Sequence, residues 1–272
     1  MTFDRPDAII SDLDNSLLQP WNKGVGKRDA AAIRRMTQLG IPVLPGTGRP
    51  PIRVKDLVRE LGLELALCSN GGCCYDFGRQ ETLFVETVAP RVAKRLVEYL
   101  LEQKILFIIH TPTYSFRAPG AEVLPRYDGR CAEERFMLGP DTPVESLQVL
   151  KVLAVECDDK AVMARLREMF SPDELSFSIS EPRFVDCGPP AVDKGSGLRR
   201  LAELKGWRLE NILVMGDYYN DQTMLEAAGK SAVPASGAEE LKAKAGFIAP
   251  PCGEDPLSAA IDHFYPGLLE GI

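Results

Sequence analysis

Histidine is scarce in this chain, and its scarcity narrows the chemistry that the protein can perform. Only two histidines, His110 and His263, occur among the 272 residues. A metal site built mainly from histidine is therefore excluded, and a serine or cysteine nucleophile activated by histidine would need one of these two. His110 ends an apolar run and His263 lies in a helical pattern, so we interpret each as a packed or solvated imidazole and not as a catalytic group. Carboxylates and lysines are the better catalytic candidates.

The chain also lacks a basic tract and a long apolar run. Its 39 acidic and 32 basic side chains give a formal net charge of -7, which does not favour binding to nucleic acid or to an anionic membrane surface. No run approaches the roughly 18 apolar residues of a membrane helix, and the opening MTFDRPDAII has no basic segment leading into an apolar one. We expect a cytoplasmic protein with no nucleic-acid or membrane partner.

The cysteines lack the spacing of a metal or redox site. Their number, seven, is odd, and no C-x-x-C occurs. We therefore expect reduced and mostly buried thiols.

Short apolar runs alternate with helical patterns along most of the chain. The runs that we predict as buried strands are residues 8–14, 41–47, 65–70, 211–217 and 231–235. Between them, helical spacing of apolar residues is found in residues 27–40, 51–62, 193–206 and 221–229. This alternation predicts an α/β fold with a doubly wound, Rossmann-like parallel sheet.

The middle of the chain follows a different order. A β-hairpin around Gly78 is followed by a helix, a strand, an irregular stretch over 112–145, and then a further strand, a helix and two short strands. Such an order is typical of a separate α+β unit. We predict a core domain formed by residues 1–82 and 189–272, and an inserted α+β domain over 83–188.

Three of the predicted strands end in polar groups. Asp12 and Asp14 share one face at the end of the first strand, where two carboxylates repel each other unless a cation such as Mg²⁺ lies between them. Thr47 and Gly48 follow the second strand, where a hydroxyl and backbone N–H groups could hold a phosphoryl oxygen. Asp217 ends a later strand and is followed by Asn220 and Asp221. Each set alone could instead be a helix cap or a tight turn.

Lys194 stands in the first turn of a predicted helix. A lysine there is electrostatically unfavourable against the helix dipole unless an anion lies close by. Its position therefore indicates an anionic ligand, although a solvated lysine is the alternative.

The ordered set DLDNS (12–16), GTGR (46–49), Lys194 and GDYYND (216–221) resembles the four motifs of the haloacid dehalogenase superfamily. SNGG (69–72), together with the inserted unit, resembles its type IIB, Cof-like branch of sugar-phosphate phosphatases, in which a large α/β cap is inserted into the core. The usual first motif is D-x-D-G-T, whereas this chain has Asn15 and Ser16. Asn15 must then take a backbone conformation that glycine takes more easily.

The resemblance implies a role for each motif residue. Asp12 is the nucleophile and Asp14 the general acid and base. The phosphoryl group is bound by Ser16, Thr47, Gly48 and Lys194. Mg²⁺ is held by Asp12, Asp217 and the backbone carbonyl of Asp14, with support from Asn220 and Asp221.

The expected function is Mg²⁺-dependent hydrolysis of a small phosphomonoester, on the resemblance a sugar phosphate, through an aspartyl-phosphate intermediate. We expect a monomer or homodimer whose partner is the small phosphorylated substrate. Contacts to the leaving group could come from Tyr114, Arg117, Arg126 and Asp186. A phosphomutase of the same superfamily and a non-catalytic phosphate or Mg²⁺ sensor are the alternatives.

Overall fold

The structure is a computed structural model of the chain, and it describes residues 5–19, 24–120, 135–139, 141–179 and 182–272. Arg126, one of the expected leaving-group contacts, lies outside these ranges. Within them, no helix has the length and apolar character needed to cross a membrane.

The strands form three sheets. In chain order they are β1 (Ala8–Ser11), β2 (Val43–Pro45), β3 (Leu65–Cys68), β4 (Cys73–Asp76), β5 (Glu81–Val85), β6 (Leu106–His110), β7 (Ser115–Arg117), β8 (Arg135–Met137), β9 (Lys151–Val155), β10 (Ser176–Ser178), β11 (Val185–Gly188), β12 (Ile212–Met215), β13 (Lys230–Pro234) and β14 (Phe247–Ala249). The sheet orders are β14-β13-β12-β1-β2, β10-β11-β9-β6-β7-β8 and β3-β4-β5.

Helices cover both faces of the first sheet. The helices are α1 (Lys27–Gln38), α2 (Lys55–Glu60), α3 (Pro90–Glu102), α4 (Asp159–Met169), α5 (Lys194–Lys205), α6 (Gln222–Ala227), α7 (Glu239–Lys242) and α8 (Pro256–Phe264). Ile9 of β1 packs in one apolar cluster with side chains of α1 and α8. Its neighbour Ile10 packs in another with side chains of α5 and α6. All strand pairs in this sheet are parallel, so the predicted doubly wound α/β core is confirmed.

The strand predicted over residues 65–70 is found as β3, and its neighbours run in both directions. β3 does not extend the parallel sheet as a regular member but pairs antiparallel with β4. Its link to β2 is a single parallel bridge between Gly46 and Leu67. The reason is the short turn after Cys68, which reverses the chain at once, and a connection of that length can join only antiparallel strands.

The inserted region contains the six-stranded sheet, which we call the cap sheet (β6–β11). Its pairs are antiparallel except for β7 with β8. Both of these strands lie in the stretch over 112–145 that the sequence predicted to be irregular. They have three residues each, too few for an alternating pattern to be recognised.

The domain boundaries stay a prediction. Phe84 packs with core residues such as Ile10, whereas Val88 packs with the apolar residues of α3 and the cap sheet. We therefore propose that the first crossing lies between Phe84 and Val88, slightly later than residue 82. The return crossing follows Gly188, where β11 ends.

The first and last long helices of the core cap each other. Asp255 Oδ1 accepts hydrogen bonds from the backbone N–H groups of Arg28 and Asp29 at 3.1 and 3.0 Å, at the start of α1. Asp29 in turn accepts from the N–H groups of Leu257 and Ser258 at 3.4 and 2.7 Å, at the start of α8. Each aspartate satisfies donors that its partner helix cannot satisfy internally.

This arrangement predicts a pH-dependent stability. Burial raises the pKa of Asp29 to about 6, although the Ser258 N–H acts in the opposite direction. Between the unfolded pKa of 3.8 and about 6, the unfolded chain binds fewer protons than the folded one, so the free energy of unfolding falls as pH rises. The change from this group is up to about 3 kcal/mol and is complete above pH 6.

Asp29→Asn removes this titration but keeps an acceptor oxygen. The free energy of unfolding of the variant minus that of the wild type should therefore be larger at pH 7 than at pH 4.5. Urea unfolding of both proteins at both pH values measures this difference. A difference that is the same at the two pH values, or that changes in the other direction, would contradict the assignment.

Candidate active site

The site lies at the carboxyl edge of the parallel sheet. Asp12 follows β1, Thr47 follows β2 and Asp217 follows β12. The Asp12 N–H donates to the carbonyl of Met215 at 2.8 Å, which extends the pairing of β1 and β12 up to the site. The predicted convergence of these three strand ends is therefore found, at the edge where open α/β sheets bind ligands.

Three buried carboxylates meet at this edge. Asp12, Asp217 and Asp221 each offer an oxygen within 4.8 Å of the other two. The turn after β12 holds Asp221 in place, because its Oδ2 accepts from the N–H groups of Asp217 and Tyr218 at 3.0 and 3.2 Å. Asp221 therefore stands in the cluster beside Asp12 and Asp217.

Lys194 is fully buried among these acids. Its Nζ donates to Asp12 Oδ1 at 2.6 Å and to Asp221 Oδ1 at 2.5 Å. Asp193 caps α5 and exchanges hydrogen bonds with Ser196, which fixes the first turn that carries Lys194. The sequence indicated an anionic ligand near this lysine, and the structure shows that carboxylates of the chain itself supply the negative charge.

The pKa shifts in the site follow from burial and from the presence of three carboxylates around one ammonium group. Burial raises the pKa of Asp12 well above its usual value, against the attraction of Lys194. Burial also raises the pKa of Asp217 to about 7, and the charge of Asp221 adds to the rise. For Lys194, burial acts to lower the pKa, but Asp12 and Asp221 outweigh it and raise the pKa above the usual value.

The residues present fit a divalent cation. Lys194 can balance one of the three carboxylate charges, and uncompensated charges are costly in a buried site. An all-oxygen donor set is the kind that Mg²⁺ prefers. Asp12, Asp217 and Asp221 are therefore the side chains that could hold it.

The loop after β1 supports the cluster. Asn15 has a φ of 61°, the left-handed conformation that the sequence required of it in place of glycine. Ser16 is buried and its Oγ donates to Asp217 Oδ1 at 2.9 Å. The Ser16 hydroxyl thus contacts a carboxylate, whereas the resemblance had implied a contact with the phosphoryl group.

Asp14 lies apart from the three carboxylates and is paired with Arg49. Arg49 Nε donates to Asp14 Oδ2 at 2.9 Å, and Arg49 Nη2 contacts Asp14 Oδ1. The Asp14 side chain is 47% exposed, so it borders the open part of the site. Sequence reasoning missed Arg49 as a functional residue, although it stands directly after Gly48 in the motif that was singled out.

A strained turn lies between the loop after β2 (residues 46–49) and the start of α5. Ser69, Asn70 and Gly71 have φ values of 52°, 54° and 90°, a concentration of unfavourable backbone that is typical of functional sites. The N–H groups of Ser69 and Asn70 donate to the carbonyls of Arg49 and Thr47 at 3.0 and 3.1 Å. This turn, residues 69–71, therefore fixes the backbone of residues 47–49.

Two further predicted residues also lie beside this turn. The Thr47 hydroxyl is buried and accepts from the Arg49 N–H at 3.1 Å. Asn220 Nδ2 donates to Asn70 Oδ1 at 3.3 Å, so the amide of Asn220 pairs across the site, while the carboxylate cluster is completed by Asp221. A Cβ at Gly48 would lie 3.0 Å from the same Asn70 oxygen.

Substitution of Gly71 tests how much the close packing of this turn against the start of α5 contributes to stability. A Cβ at Gly71 would lie 2.1 Å from the carbonyl oxygen of Asp193, directly before Lys194. We expect Gly71→Ala to lower the free energy of unfolding by about 3 kcal/mol, from the positive φ and from overpacking together. Gly62→Ala is the matched control, because Gly62 also has a positive φ of 67° but open space around its Cβ position. The control should lose only about 1 kcal/mol in urea unfolding, and equal losses would contradict the account.

Known proteins share both the sequence pattern and the fold. The model of the haloacid dehalogenase-like hydrolases matches residues 9–261. The 5-amino-6-(5-phospho-D-ribitylamino)uracil phosphatase YwtE of Bacillus subtilis is 25% identical, over 96% of this chain and 98% of its own. The pyridoxal phosphate phosphatase YbhA of Escherichia coli is 27% identical, over 96% and 98% of the two chains. The HAD subclass IIB sugar phosphatase BT4131 has a TM-score of 0.81 at 18% identity, over 95% and 98%.

The family match covers nearly the whole chain, and the relatives that align from end to end are phosphatases. The chain therefore belongs to the haloacid dehalogenase-like hydrolases, among which it is a phosphatase.

Proposed function

We propose that the protein is a Mg²⁺-dependent phosphohydrolase that cleaves a small phosphomonoester, of the sugar-phosphate class, through an aspartyl phosphate on Asp12. The observation that carries this proposal is the cluster of Asp12, Asp217 and Asp221 around Lys194. Its relatives YwtE and YbhA are named for two different small phosphate esters, and BT4131 is a sugar phosphatase. These names support hydrolysis of a phosphate ester as the reaction. The identity of the leaving group must be inferred from this chain's own residues.

Asp12 is suited to be the nucleophile. Its Oδ1 is held by Lys194, which orients the carboxylate toward the sheet edge. Mg²⁺ held by Asp12, Asp217 and Asp221, with the backbone carbonyl of Asp14, would supply the positive charge that lets a phosphate dianion approach a carboxylate. One Asp12 oxygen then attacks phosphorus, the bond between phosphorus and the ester oxygen breaks, and Asp12 carries the phosphoryl group.

Asp14 is suited to move the proton. It donates a proton to the departing alcohol oxygen and then takes one from the water that attacks the aspartyl phosphate, which releases phosphate and restores Asp12. Arg49 contacts both oxygens of Asp14 and so fixes the orientation of its carboxyl group. In this proposal Thr47, the Gly48 backbone and Lys194 stabilise the phosphoryl oxygens.

The direct test is hydrolysis of p-nitrophenyl phosphate. We expect Mg²⁺-dependent turnover that EDTA abolishes and added Mg²⁺ restores, and no turnover in Asp12→Asn. Asp262→Asn is the control, since Asp262 pairs with Arg28 on the outside of the core. No turnover by the metal-loaded wild type on aryl, acyl or sugar phosphates would refute the proposal, and transfer of phosphate back to the substrate would identify a mutase.

The role of Asp14 predicts a dependence on the leaving group. Asp14→Asn should slow hydrolysis of an alkyl phosphate about 10²- to 10⁴-fold, because a poor alkoxide leaving group needs the proton. The loss in kcat/KM, which reports the formation of the aspartyl phosphate, should be much smaller for p-nitrophenyl phosphate, since a nitrophenolate leaves without protonation. Equal losses in kcat/KM on the two esters would show that Asp14 has a structural role and donates no proton to the leaving group.

A further inference from the structure

One face of the cap sheet is polar where it approaches the core. Directly paired residues of neighbouring strands share a face. Asp186 of β11 is paired with Leu153 of β9, which shares a face with Lys151, and Ser178 of β10 is paired with Asp186. The opposite face, which includes Cys187, packs into the apolar interior of the inserted region.

This polar face closes a small cavity against the turn at residues 69–71. Ser69 and Asn70 line it from the core, and the cap sheet contributes Lys151, Asp186, Ser176 and Ser178. The cavity has a volume of about 20 Å³, which is the space of a single water molecule or a single hydroxyl group. Because the turn is hydrogen-bonded to the backbone of Thr47 and Arg49, the cavity adjoins the loop that is suited to the phosphoryl group.

The cavity contains a buried ion pair. Lys151 Nζ contacts Asp186 Oδ1, and the two side chains are only 7% and 3% exposed. An ammonium group has three N–H donors, and Asp186 Oδ1 takes one of them. Both residues line the cavity, so the two remaining N–H groups of Lys151 can donate to a small polar group bound there.

Ser69, which lines the cavity, has a hydroxyl that lacks a partner among the described residues. Ser69 is 4% exposed, and its Oγ forms no hydrogen bond with any residue that the structure describes. A buried polar group without a partner is costly, and such a group is typical of a site that a ligand completes. Ser176, on the same cavity wall, has its hydroxyl satisfied, since it donates to the Pro189 carbonyl at 2.8 Å.

We propose that Ser69 and Lys151 bind a hydroxyl group of the leaving group, and that this contact selects polyhydroxylated phosphomonoesters over alkyl esters of the same length. The hydroxyl oxygen accepts from Lys151 Nζ and completes the hydrogen bonding of Ser69 Oγ. Asp186 is a positioning residue that fixes Lys151. The inference rests on the proposed phosphatase function and adds the chemical group that the enzyme recognises.

The enzyme would discriminate against a substrate analogue without the hydroxyl because that analogue leaves two polar groups of the cavity without partners. Such an analogue would bury Ser69 Oγ and Lys151 Nζ with no new partner, and sites built to bind a hydroxyl reject such analogues strongly. A ring does not fit into a cavity of this size, and an alkyl group that entered it would leave both polar groups without partners.

The test compares kcat/KM for matched esters. The probes are glycerol 3-phosphate against n-propyl phosphate, and glucose 6-phosphate against its monodeoxy analogues, with the Mg²⁺-loaded protein. We expect the wild type to prefer the hydroxylated member of at least one pair by tenfold or more. Ser69→Ala should reduce that preference at least tenfold, whereas Ser176→Ala should keep it.

Further variants distinguish the loss of the hydroxyl contact from a folding defect. Ser69→Ala removes an oxygen without a partner and should not lower the midpoint of thermal unfolding. Ser69→Gly also tolerates the positive φ and should lose the same preference. Replacing the ion pair as a whole, by Lys151→Met with Asp186→Leu, avoids a lone buried charge and should also reduce the preference.

The outcomes separate the two proposals. A wild type that hydrolyses p-nitrophenyl phosphate but shows no preference within any pair overturns the hydroxyl subsite and leaves the phosphatase function intact. An unchanged preference in Ser69→Ala also overturns the subsite and reduces the cavity to a water site. Absence of turnover on every ester overturns the proposed function and this inference with it.

Discussion

The arrangement of the site depends on one buried lysine among three buried carboxylates. Lys194 contacts Asp12 and Asp221 and cannot balance Asp217 as well. Such a cluster would not persist in a flexible loop, because the acids would separate into water. It persists here because each member is attached to a rigid element: Asp12 and Asp217 to strand ends of the parallel sheet, Lys194 to the first turn of α5, and Asp221 to the turn that leads into α6. The sheet edge thus holds like charges together at a distance that a cation can bridge.

The sequence predicted the parts of the fold and site that depend on local pattern. The parallel core could be read from buried apolar runs, and the position of Asp12, Thr47 and Asp217 from the ends of those runs. The left-handed conformation of Asn15 could be predicted because Asn15 stands at the position where the first motif usually has glycine. These features depend on the chain's own neighbouring residues, so they are visible in one sequence.

Features that depend on distant side chains were not predictable. Lys194 indicated an anion, but nothing near it in sequence identified Asp12 and Asp221 as that anion. The hydroxyl of Ser16 and the amide of Asn220 found protein partners that lie 201 and 150 residues away. The antiparallel pairing of β3 was missed because a buried apolar run has the same appearance in parallel and antiparallel sheets. In each case the deciding contact is made by tertiary packing.

The reciprocal capping of α1 and α8 has a consequence for how such a protein can change. Asp29 and Asp255 join the early and late parts of the chain by contacts that lie outside the segment between Phe84 and Gly188. On the domain division proposed above, that segment is an insertion into a core whose two halves hold each other. Mutations in the insertion would then leave this contact between the halves unchanged, and a lineage could acquire a new substrate by altering the insertion while it inherits the chemistry.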